Sequence, residues 1–318
     1  MVAYKNIKSF VRRTFKFGLF LPLSNLMIYK GGKYFSHQFL VNLSEKRNKK
    51  IQSIVLSNIT NKDLSNVSNF DSSSLMDDKA PIWWCWFQGV DNLPLIPKLC
   101  LSSLQKHANG HPIHIITSKN ISDYIDVPEH ILKKLKSGII TYAHFSDLLR
   151  MSLVAKYGGM WIDSTVFVNE DLPEEIFNNP FFTIKTQPFG YFVSQCRWTG
   201  FCFAGLKGNP VASGCEMIFS KYWKRNNVLI DYFLIDQSID LLYQYNIIVK
   251  EIIDKVPYNN PKVHELNRIL AEDFDKNFFI NLTADTFLFK LNWRTYADSE
   301  LEKNKSNFYH YLLDSINK

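Results

Sequence analysis

The sequence contains few glycines, and it lacks the glycine-rich motifs that several large enzyme classes require. Its 318 residues include 13 glycines, and no G-x-G-x-x-G loop, Walker phosphate loop or G-x-S-x-G serine motif occurs. Each of these motifs needs glycine so that the backbone can turn sharply or approach a phosphate closely. The sequence therefore does not support dinucleotide binding, P-loop nucleotide hydrolysis or a serine hydrolase of the α/β type.

Paired cysteines are also lacking. The five cysteines are Cys85, Cys100, Cys196, Cys202 and Cys215. Their number is odd, and neither a C-x-x-C pair nor an H-E-x-x-H helix motif is present. This pattern indicates neither a disulfide framework nor a zinc site, and it favours a reducing, cytoplasmic location.

Acidic residues are absent from the first 40 positions, which carry seven lysines and arginines with phenylalanine and leucine interleaved. The most apolar stretch, Phe17 to Tyr29, is interrupted by proline and polar residues and is shorter than the roughly 20 apolar residues of a membrane-spanning helix. We therefore predict that residues 1–50 form a basic, helical segment that lies on an anionic membrane surface. A helix packed on the catalytic domain and a nucleic-acid-binding segment are the alternatives.

Basic residues are in excess over the whole chain as well. The net charge is +7 and the isoelectric point is near 9.0. Such a balance predicts an anionic partner, for example a phosphorylated substrate or an acidic membrane surface. No recognised nucleic-acid module accompanies the charge, so no nucleic acid partner is expected.

Composition divides the rest of the chain into a linker and one domain. Serine, asparagine and aspartate dominate from Ser57 onward, so residues 51–79 are predicted to be a polar linker and residues 80–318 the catalytic domain. The first elements of that domain are a predicted strand at 82–87, a helix at 95–107 and a strand at 112–117. Such alternation is typical of βαβ units in a mostly parallel sheet.

A helix, a glycine stop and a strand are predicted between Tyr142 and Asn169. Apolar residues recur at helical spacing from Ala143 to Tyr157, and Gly158 with Gly159 supplies a left-handed end to the helix. An apolar strand, 160–162, follows and ends in Asp163. Since ligands of α/β sheets bind beyond the carboxyl ends of the strands, Asp163 is a candidate ligand-binding residue.

Two charged residues of the preceding helix face the same way. Asp147 and Arg150 are three positions apart, which places them on one helical face. Such a pair is often only a surface ion pair, and that alternative stays open for the pair by itself. The connection through two glycines to Asp163 favours a common cleft for all three side chains.

These residues form a combined motif, S-D-x-x-R followed by K-Y-G-G-x-W-I-D-x-T. It resembles the core of sugar-nucleotide-dependent glycosyltransferases that carry a DxD-type sugar-binding motif, and it is similar to bacterial capsular polysaccharide synthesis proteins, a group like glycosyltransferase family 32. The resemblance implies an α/β fold of the GT-A (Rossmann-like) type, with a mostly parallel sheet flanked by helices. It also implies a nucleoside diphosphate sugar donor and an Mn²⁺ or Mg²⁺ ion.

The resemblance assigns roles to the residues of the motif. Asp147 and Arg150 hold the donor, whereas Asp163 takes part in catalysis and binds the ribose and the metal. Thr165 stands where the second aspartate of the motif is expected. A hydroxyl is a poorer ligand for a hard cation than a carboxylate, so we expect Thr165 to contact the metal or its outer shell.

The resemblance also points to a nucleotide-binding aromatic residue at the end of the first strand. Trp86 is the preferred candidate for stacking on the base, with Trp84 as the second choice and Gln88 beside them in the donor site. An aromatic face suits a nucleobase, although a strand this rich in aromatics is also typical of a hydrophobic core.

Two later segments supply further candidates. Asp236 is a candidate catalytic carboxylate on the sugar or acceptor side, its alternative being an exposed acid at a helix start. Lys290 and Trp293 are candidates for closing over the donor diphosphate, their alternative being a final packed strand and turn.

Together these observations predict a glycosyltransferase. Retention of anomeric configuration is implied by the resemblance alone. The expected acceptor is a capsular or surface polysaccharide, or a lipid-linked glycan, on the inner face of the cell membrane. The rival hypothesis is a noncatalytic membrane-surface scaffold for capsule assembly, derived from such an enzyme and disabled by the missing second carboxylate.

Overall fold

The computed structural model describes residues 2–65, 67, 79–188 and 191–317. The helices are α1 (Val2–Phe17), α2 (Phe20–Lys30), α3 (His37–Leu56), α4 (Asn61–Ser65), α5 (Leu95–His107), α6 (Ile121–Tyr124), α7 (Glu129–Lys136), α8 (Tyr142–Tyr157), α9 (Glu175–Asn178), α10 (Pro210–Arg225), α11 (Leu234–Tyr245), α12 (Ile247–Asp254), α13 (Leu266–Ile269), α14 (Lys276–Thr283), α15 (Asp298–Lys303) and α16 (Phe308–Asn317). The strands are β1 (Ile82–Cys85), β2 (Ile113–Ile116), β3 (Gly159–Ile162), β4 (Val166–Val168), β5 (Phe181–Thr183), β6 (Cys202–Gly205) and β7 (Leu288–Lys290).

A five-stranded sheet in the order β2-β1-β3-β6-β5 forms the centre of the fold. Strand β1 pairs in parallel with β2 and β3, whereas β6 is antiparallel to both β3 and β5, so four of the five strands run in the same direction. Helices flank this sheet, and β4 pairs with β7 in a second, two-stranded antiparallel sheet. The arrangement confirms the predicted α/β class, with a mostly parallel sheet flanked by helices.

The central sheet is buried on both faces. Alternate residues of a strand point to opposite faces, and along β1 and β3 they enter two separate apolar clusters. Trp83 and Trp161 pack with the side chains of α8, α10 and α11, whereas Trp84 and Met160 pack on the other face. Asp163 therefore follows directly on a strand that is held from both sides.

The junction between α8 and β3 matches the predicted helix, glycine stop and strand. Thr141 caps the start of α8 by accepting a hydrogen bond from the His144 N–H, and both glycines at the helix end have positive φ angles, 71° for Gly158 and 87° for Gly159. A Cβ atom on Gly159 would lie 2.1 Å from the carbonyl oxygen of Pro81. Only glycine fits this turn without displacing backbone.

The amino-terminal helices pack on the rest of the chain, as in the packed alternative, whereas the predicted contact of residues 1–50 with a membrane surface stays a prediction. Leu40 and Ile51 are fully buried, and the Arg13 side chain donates a hydrogen bond to the Leu229 carbonyl. Arg47 and Asp231 form an ion pair of 2.7 Å with side chains only 6% and 2% exposed. The packed alternative is therefore confirmed for these helices.

The predicted linker, 51–79, begins too early. Residues 51–56 complete α3, α4 follows, and Val55 and Leu64 belong to the largest apolar cluster. The polar composition did not indicate that these helices pack on the core, because only every third or fourth of their side chains faces inward. Residues 66 and 68–78 of the predicted linker lie outside the described residues.

The outer side of α1 and α2 exposes large apolar side chains. Phe15 is 88% exposed. Leu19, Phe20, Leu23 and Leu26 are exposed beside it. Within the described residues, no helix combines the length and the apolar character needed to cross a bilayer.

Candidate active site

Asp163 lies at the carboxyl end of β3, beside a cavity of about 550 Å³. Its backbone N–H donates to the Phe201 carbonyl at 2.8 Å, which extends the pairing of β3 with the chain before β6. Thr165, His264, Lys290 and Trp293 also line this cavity. Asp163 therefore lies beside an opening beyond the carboxyl end of its strand, and its role there stays a prediction.

The Asp163 carboxylate lies between two basic side chains. Oδ2 accepts a hydrogen bond from the Lys290 Nζ at 2.9 Å, while Oδ1 accepts one from the Trp161 Nε1 at 2.9 Å and is 3.4 Å from the Arg150 Nη2. Burial by itself would raise the pKa of Asp163, but the positive charges of Lys290 and Arg150 outweigh burial and lower the pKa. Asp163 is therefore a carboxylate at neutral pH.

Arg150 lies between the carboxylate of Asp147 on α8 and that of Asp163 at the end of β3. Its Nη2 is 3.3 Å from the Asp147 Oδ1 as well as 3.4 Å from the Asp163 Oδ1. The guanidinium also lies over the Trp161 ring, 5.0 Å from the ring centre, and donates from Nη1 to the Gly200 carbonyl. The structure thus brings together the three charged residues that the sequence motif singled out.

His144, which the sequence analysis missed, stands behind Asp147. The Trp223 Nε1 donates to the His144 Nε2 at 2.9 Å, so the proton of the neutral ring is on Nδ1. That atom faces the Asp147 Oδ2 at 3.4 Å. Its position three residues before Asp147, on the same face of α8, was the available signal.

Thr165 and Lys290 meet through the second sheet. Lys290 pairs with Val166 across β4 and β7, and the Leu291 N–H donates to the Thr165 carbonyl at 2.8 Å. The Lys290 Nζ then donates to the Thr165 Oγ1 at 2.7 Å. Lys290 was predicted near the donor diphosphate, but its contact with the DxD-type motif itself was not foreseen.

The residues around Asp163 do not fit the predicted Mn²⁺ or Mg²⁺ site. Such ions require several oxygen ligands, usually carboxylates, and the candidate pair here has one carboxylate and one hydroxyl. Both side chains accept a hydrogen bond from the same ammonium group, that of Lys290. Within the part of the chain that the structure describes, no cluster of three histidine, cysteine, aspartate or glutamate side chains is arranged to hold a metal ion.

The aromatic candidates lie at different depths in the fold. Trp84 is 1% exposed in the apolar core, so its ring cannot stack on a ligand, and its assignment to the donor site is wrong. Trp86 is half-buried and meets Trp293 edge to face, with ring centres 6.0 Å apart. Gln88 is exposed just beyond the strand. Strand alternation gives the face of a residue but not its depth, which is why Trp84 was not excluded earlier.

Asp236 lines a second cavity, of about 390 Å³, which shares His264 with the first. Its Oδ1 accepts a hydrogen bond from the Trp198 Nε1 at 3.1 Å. Burial, followed by the negative charge of Asp147, raises the pKa of Asp236 to about 7. Aromatic side chains form much of the wall, namely Tyr29, Tyr191, Phe192, Trp198, Phe201 and Phe233.

His264 lines both cavities, and no sequence pattern had pointed to it. Burial, and then the charges of Lys290 and Arg268, lower the pKa of His264, so the ring is neutral at pH 7. It belongs to a short loop and helix segment, and only folding brings it near Asp163 and Asp236. No motif or periodic spacing marks such a residue.

Comparisons with known proteins identify a family and a curated relative of this chain. The chain matches the model of a family described as capsular polysaccharide synthesis protein over residues 32–312. It is 26% identical over 161 residues to the O-glycosyltransferase braB of Annulohypoxylon truncatum, an alignment covering 45% of this chain and 37% of braB.

Two similar solved structures are also glycosyltransferases. They are the apo form of the bifunctional glycosyltransferase WbbM, with a TM-score of 0.40 and 13% identity, and the PaToxG glycosyltransferase, with a TM-score of 0.34 and 14% identity. Each alignment covers 77% of this chain, and they cover 50% of WbbM and 94% of PaToxG. The chain thus spans less than two thirds of the length of both braB and WbbM.

Proposed function

The chain belongs to the capsular polysaccharide synthesis protein family, and from this premise we propose that it transfers a sugar from a nucleoside diphosphate donor to a capsular or surface-glycan acceptor. The observation that carries the proposal is the chain of charges from Asp147 through Arg150 to Asp163 and Lys290. Asp163 and Lys290 line a cavity at the carboxyl end of the central sheet, where α/β folds bind ligands, and Arg150 links Asp163 to Asp147.

The charged residues divide between the sugar and the diphosphate. Asp147, held by Arg150 and faced by His144, offers carboxylate oxygens to sugar hydroxyls. Asp163 offers the same to the ribose, and Lys290 gives the cavity a positive charge for phosphate oxygens. Trp86 and Trp293 provide aromatic surface for the base at the cavity edge.

In the proposed reaction, the bond between the anomeric carbon and the diphosphate oxygen breaks, and its electron pair leaves with the nucleoside diphosphate. An acceptor hydroxyl oxygen forms the new bond to that carbon and releases its proton. We assign the proton to Asp236, since a carboxylate with a pKa of about 7 accepts protons at neutral pH. Retention of configuration is part of the proposal on the strength of the family resemblance.

The second cavity is the proposed acceptor site. Its aromatic walls suit the apolar faces of sugar rings, and it opens beside both Asp236 and the donor cavity. Helices α2 and α3 contribute Tyr29 and Arg47 to its wall. Helix α2 and the preceding α1 also carry the exposed apolar and basic side chains described above. A lipid-linked acceptor on an anionic membrane could therefore reach this cavity.

Release of nucleoside diphosphate tests the function. The protein is incubated with a panel of uridine, guanosine and thymidine diphosphate sugars, alone and with membrane extract as acceptor. We expect the wild type to release diphosphate from one donor class and Asp163→Asn to lose at least about 100-fold of this rate, the scale of a lost electrostatic contact in an active site. Asp123→Asn, at an exposed acid on α6, is the control.

A wild type that releases no diphosphate from any donor would contradict the proposal and favour the rival hypothesis of a noncatalytic scaffold. Full activity in Asp163→Asn, with the melting temperature of the wild type, would instead place the site elsewhere.

A further inference from the structure

We propose that the Lys290 ammonium group takes the place of a divalent cation in this transferase, so that cleavage of the donor needs no added metal. The inference rests on the proposed function and concerns the same site. It starts from the disagreement between the predicted metal ligands, Asp163 and Thr165, and the lysine that the structure places between them.

The position of Lys290 is fixed by backbone as well as by its side chain. Strand β7 pairs with β4, which begins one residue after Thr165. The Leu291 N–H donates to the Thr165 carbonyl at 2.8 Å. The ammonium group is 2.9 Å from the Asp163 carboxylate and 2.7 Å from the Thr165 hydroxyl. It therefore bridges the two side chains that a metal would otherwise bridge.

The charges support the same assignment. In a motif with two aspartates, a divalent cation and two carboxylates sum to zero. Here one ammonium and one carboxylate also sum to zero, because threonine replaces the second aspartate. The substitution at position 165 and the lysine at position 290 are thus complementary, and the threonine that weakens a metal site is an acceptor for a lysine.

Lys290 also keeps a donor for the substrate. An ammonium group has three N–H donors, and Asp163 and Thr165 accept two of them. The lysine side chain is 22% exposed and lines the donor cavity. When the anomeric bond breaks, the diphosphate gains one negative charge, and a fixed ammonium beside it stabilises that charge in the transition state.

Removal of metal ions should leave the rate of diphosphate release unchanged, whereas removal of the lysine should lower it. With the donor identified by the screen above, wild-type diphosphate release is measured in EDTA and in Mn²⁺, and the two rates should agree within about twofold. Lys290→Met should lose at least about 100-fold in either condition. Lys303→Met, at an exposed lysine of α15, should behave as wild type.

A compensating double variant tests the geometry by a measurement other than activity. Thr165→Asp combined with Lys290→Ala creates two carboxylates without the ammonium, and calorimetry should then detect Mn²⁺ binding that the wild type does not show. Diphosphate release by this double variant should require Mn²⁺. Absence of Mn²⁺ binding in the double variant would contradict the proposed geometry.

The outcomes separate this inference from the function on which it rests. Wild-type activity that is lost in EDTA and restored by Mn²⁺ would overturn the role of Lys290 while sustaining the transferase. A wild type inactive toward every donor, with and without metal ions, would overturn both.

Discussion

At the scale of single residues, two aspartates of the candidate site differ in ionisation because their neighbours differ. Asp163 contacts Lys290 and Arg150, whose charges lower its pKa despite burial. Asp236 is half-buried, and removal from water together with the negative charge of Asp147 raises its pKa to about 7, although the Trp198 N–H donates a hydrogen bond to it. The first is suited to hold a fixed negative charge and the second to exchange a proton near neutral pH.

The raised pKa of Asp236 predicts a pH-dependent cost in stability. Because the folded-state pKa lies above the unfolded value of 3.8, the contribution of Asp236 to stability is complete below about pH 4 and is lost as the pH rises through about 7. Asp236→Asn removes this loss. We expect it to stabilise the protein at pH 8, by up to about 4 kcal/mol, and to have little effect at pH 4.

Urea unfolding at the two pH values measures this difference, with Asp123→Asn as the control. An equal effect of Asp236→Asn at pH 4 and pH 8 would show that the pKa is not raised. Diphosphate release by the variant should meanwhile be lost, and wild-type release should increase with pH through about 7, since the base must be unprotonated.

The sequence predicted those site residues that share one local unit. Asp147, Arg150 and Asp163 come from one helix, one turn and one strand, so helical and strand periodicity were enough to bring them together. His264 and the contact of Lys290 with Thr165 depend on pairing between distant segments, for which a single sequence has no local signal. The roles of all these residues remain predictions for the experiments above.

At the scale of elements, the turn between α8 and β3 sets the position of Asp163, and Gly159 is its critical residue. The residue has a φ of 87°, and an added Cβ would lie 2.1 Å from the Pro81 carbonyl oxygen. Gly159→Ala should therefore destabilise the protein by more than about 3 kcal/mol, because strain at positive φ adds to displacement of the neighbouring backbone.

Gly138 is a matched control for this substitution. Its φ is 70°, and an added Cβ would meet nothing within 4 Å, so Gly138→Ala should cost only about 1 kcal/mol for the positive φ. Urea unfolding of both variants provides the comparison. Equal losses would show that the close contact with Pro81 does not matter.

The fold class was predictable from alternating helices and strands, but the amino-terminal helices were not placed correctly. Their sequence shows basic and aromatic residues in alternation, and both a membrane and a protein surface can cover such a pattern. The burial of Leu40, Ile51 and Arg47 shows that these helices pack on the protein. Their partners, such as Asp231, lie far along the chain. The exposed side of α1 and α2 leaves the predicted membrane contact open as well.

At the scale of the whole molecule, this exposed side predicts binding to anionic vesicles. Phe15→Ser combined with Phe20→Ser should weaken binding to vesicles of phosphatidylserine and phosphatidylcholine by at least about tenfold, since each buried aromatic side chain contributes roughly 1.5 to 3 kcal/mol. Cosedimentation measures the effect. High salt should weaken wild-type binding too, because it screens the basic residues.

Ile280→Ser, at an exposed position of α14, is the control for a lost apolar side chain. Unchanged vesicle binding in the phenylalanine variant would show that this side does not contact membranes. Point substitutions are preferable to deletion of residues 1–40, because deletion would also remove the buried side chains of Leu21 and Leu40.

The pairing of β4 with β7 has a consequence for synthesis of the chain. Thr165 and Lys290 are 125 positions apart, and translation proceeds from the amino end. A nascent chain therefore carries Asp163 and Arg150 long before residue 290 leaves the ribosome, and until then it lacks the ammonium group that we propose as the partner of the diphosphate. If Lys290 has the role that we propose, a chain released before β7 is made is expected to show no diphosphate release.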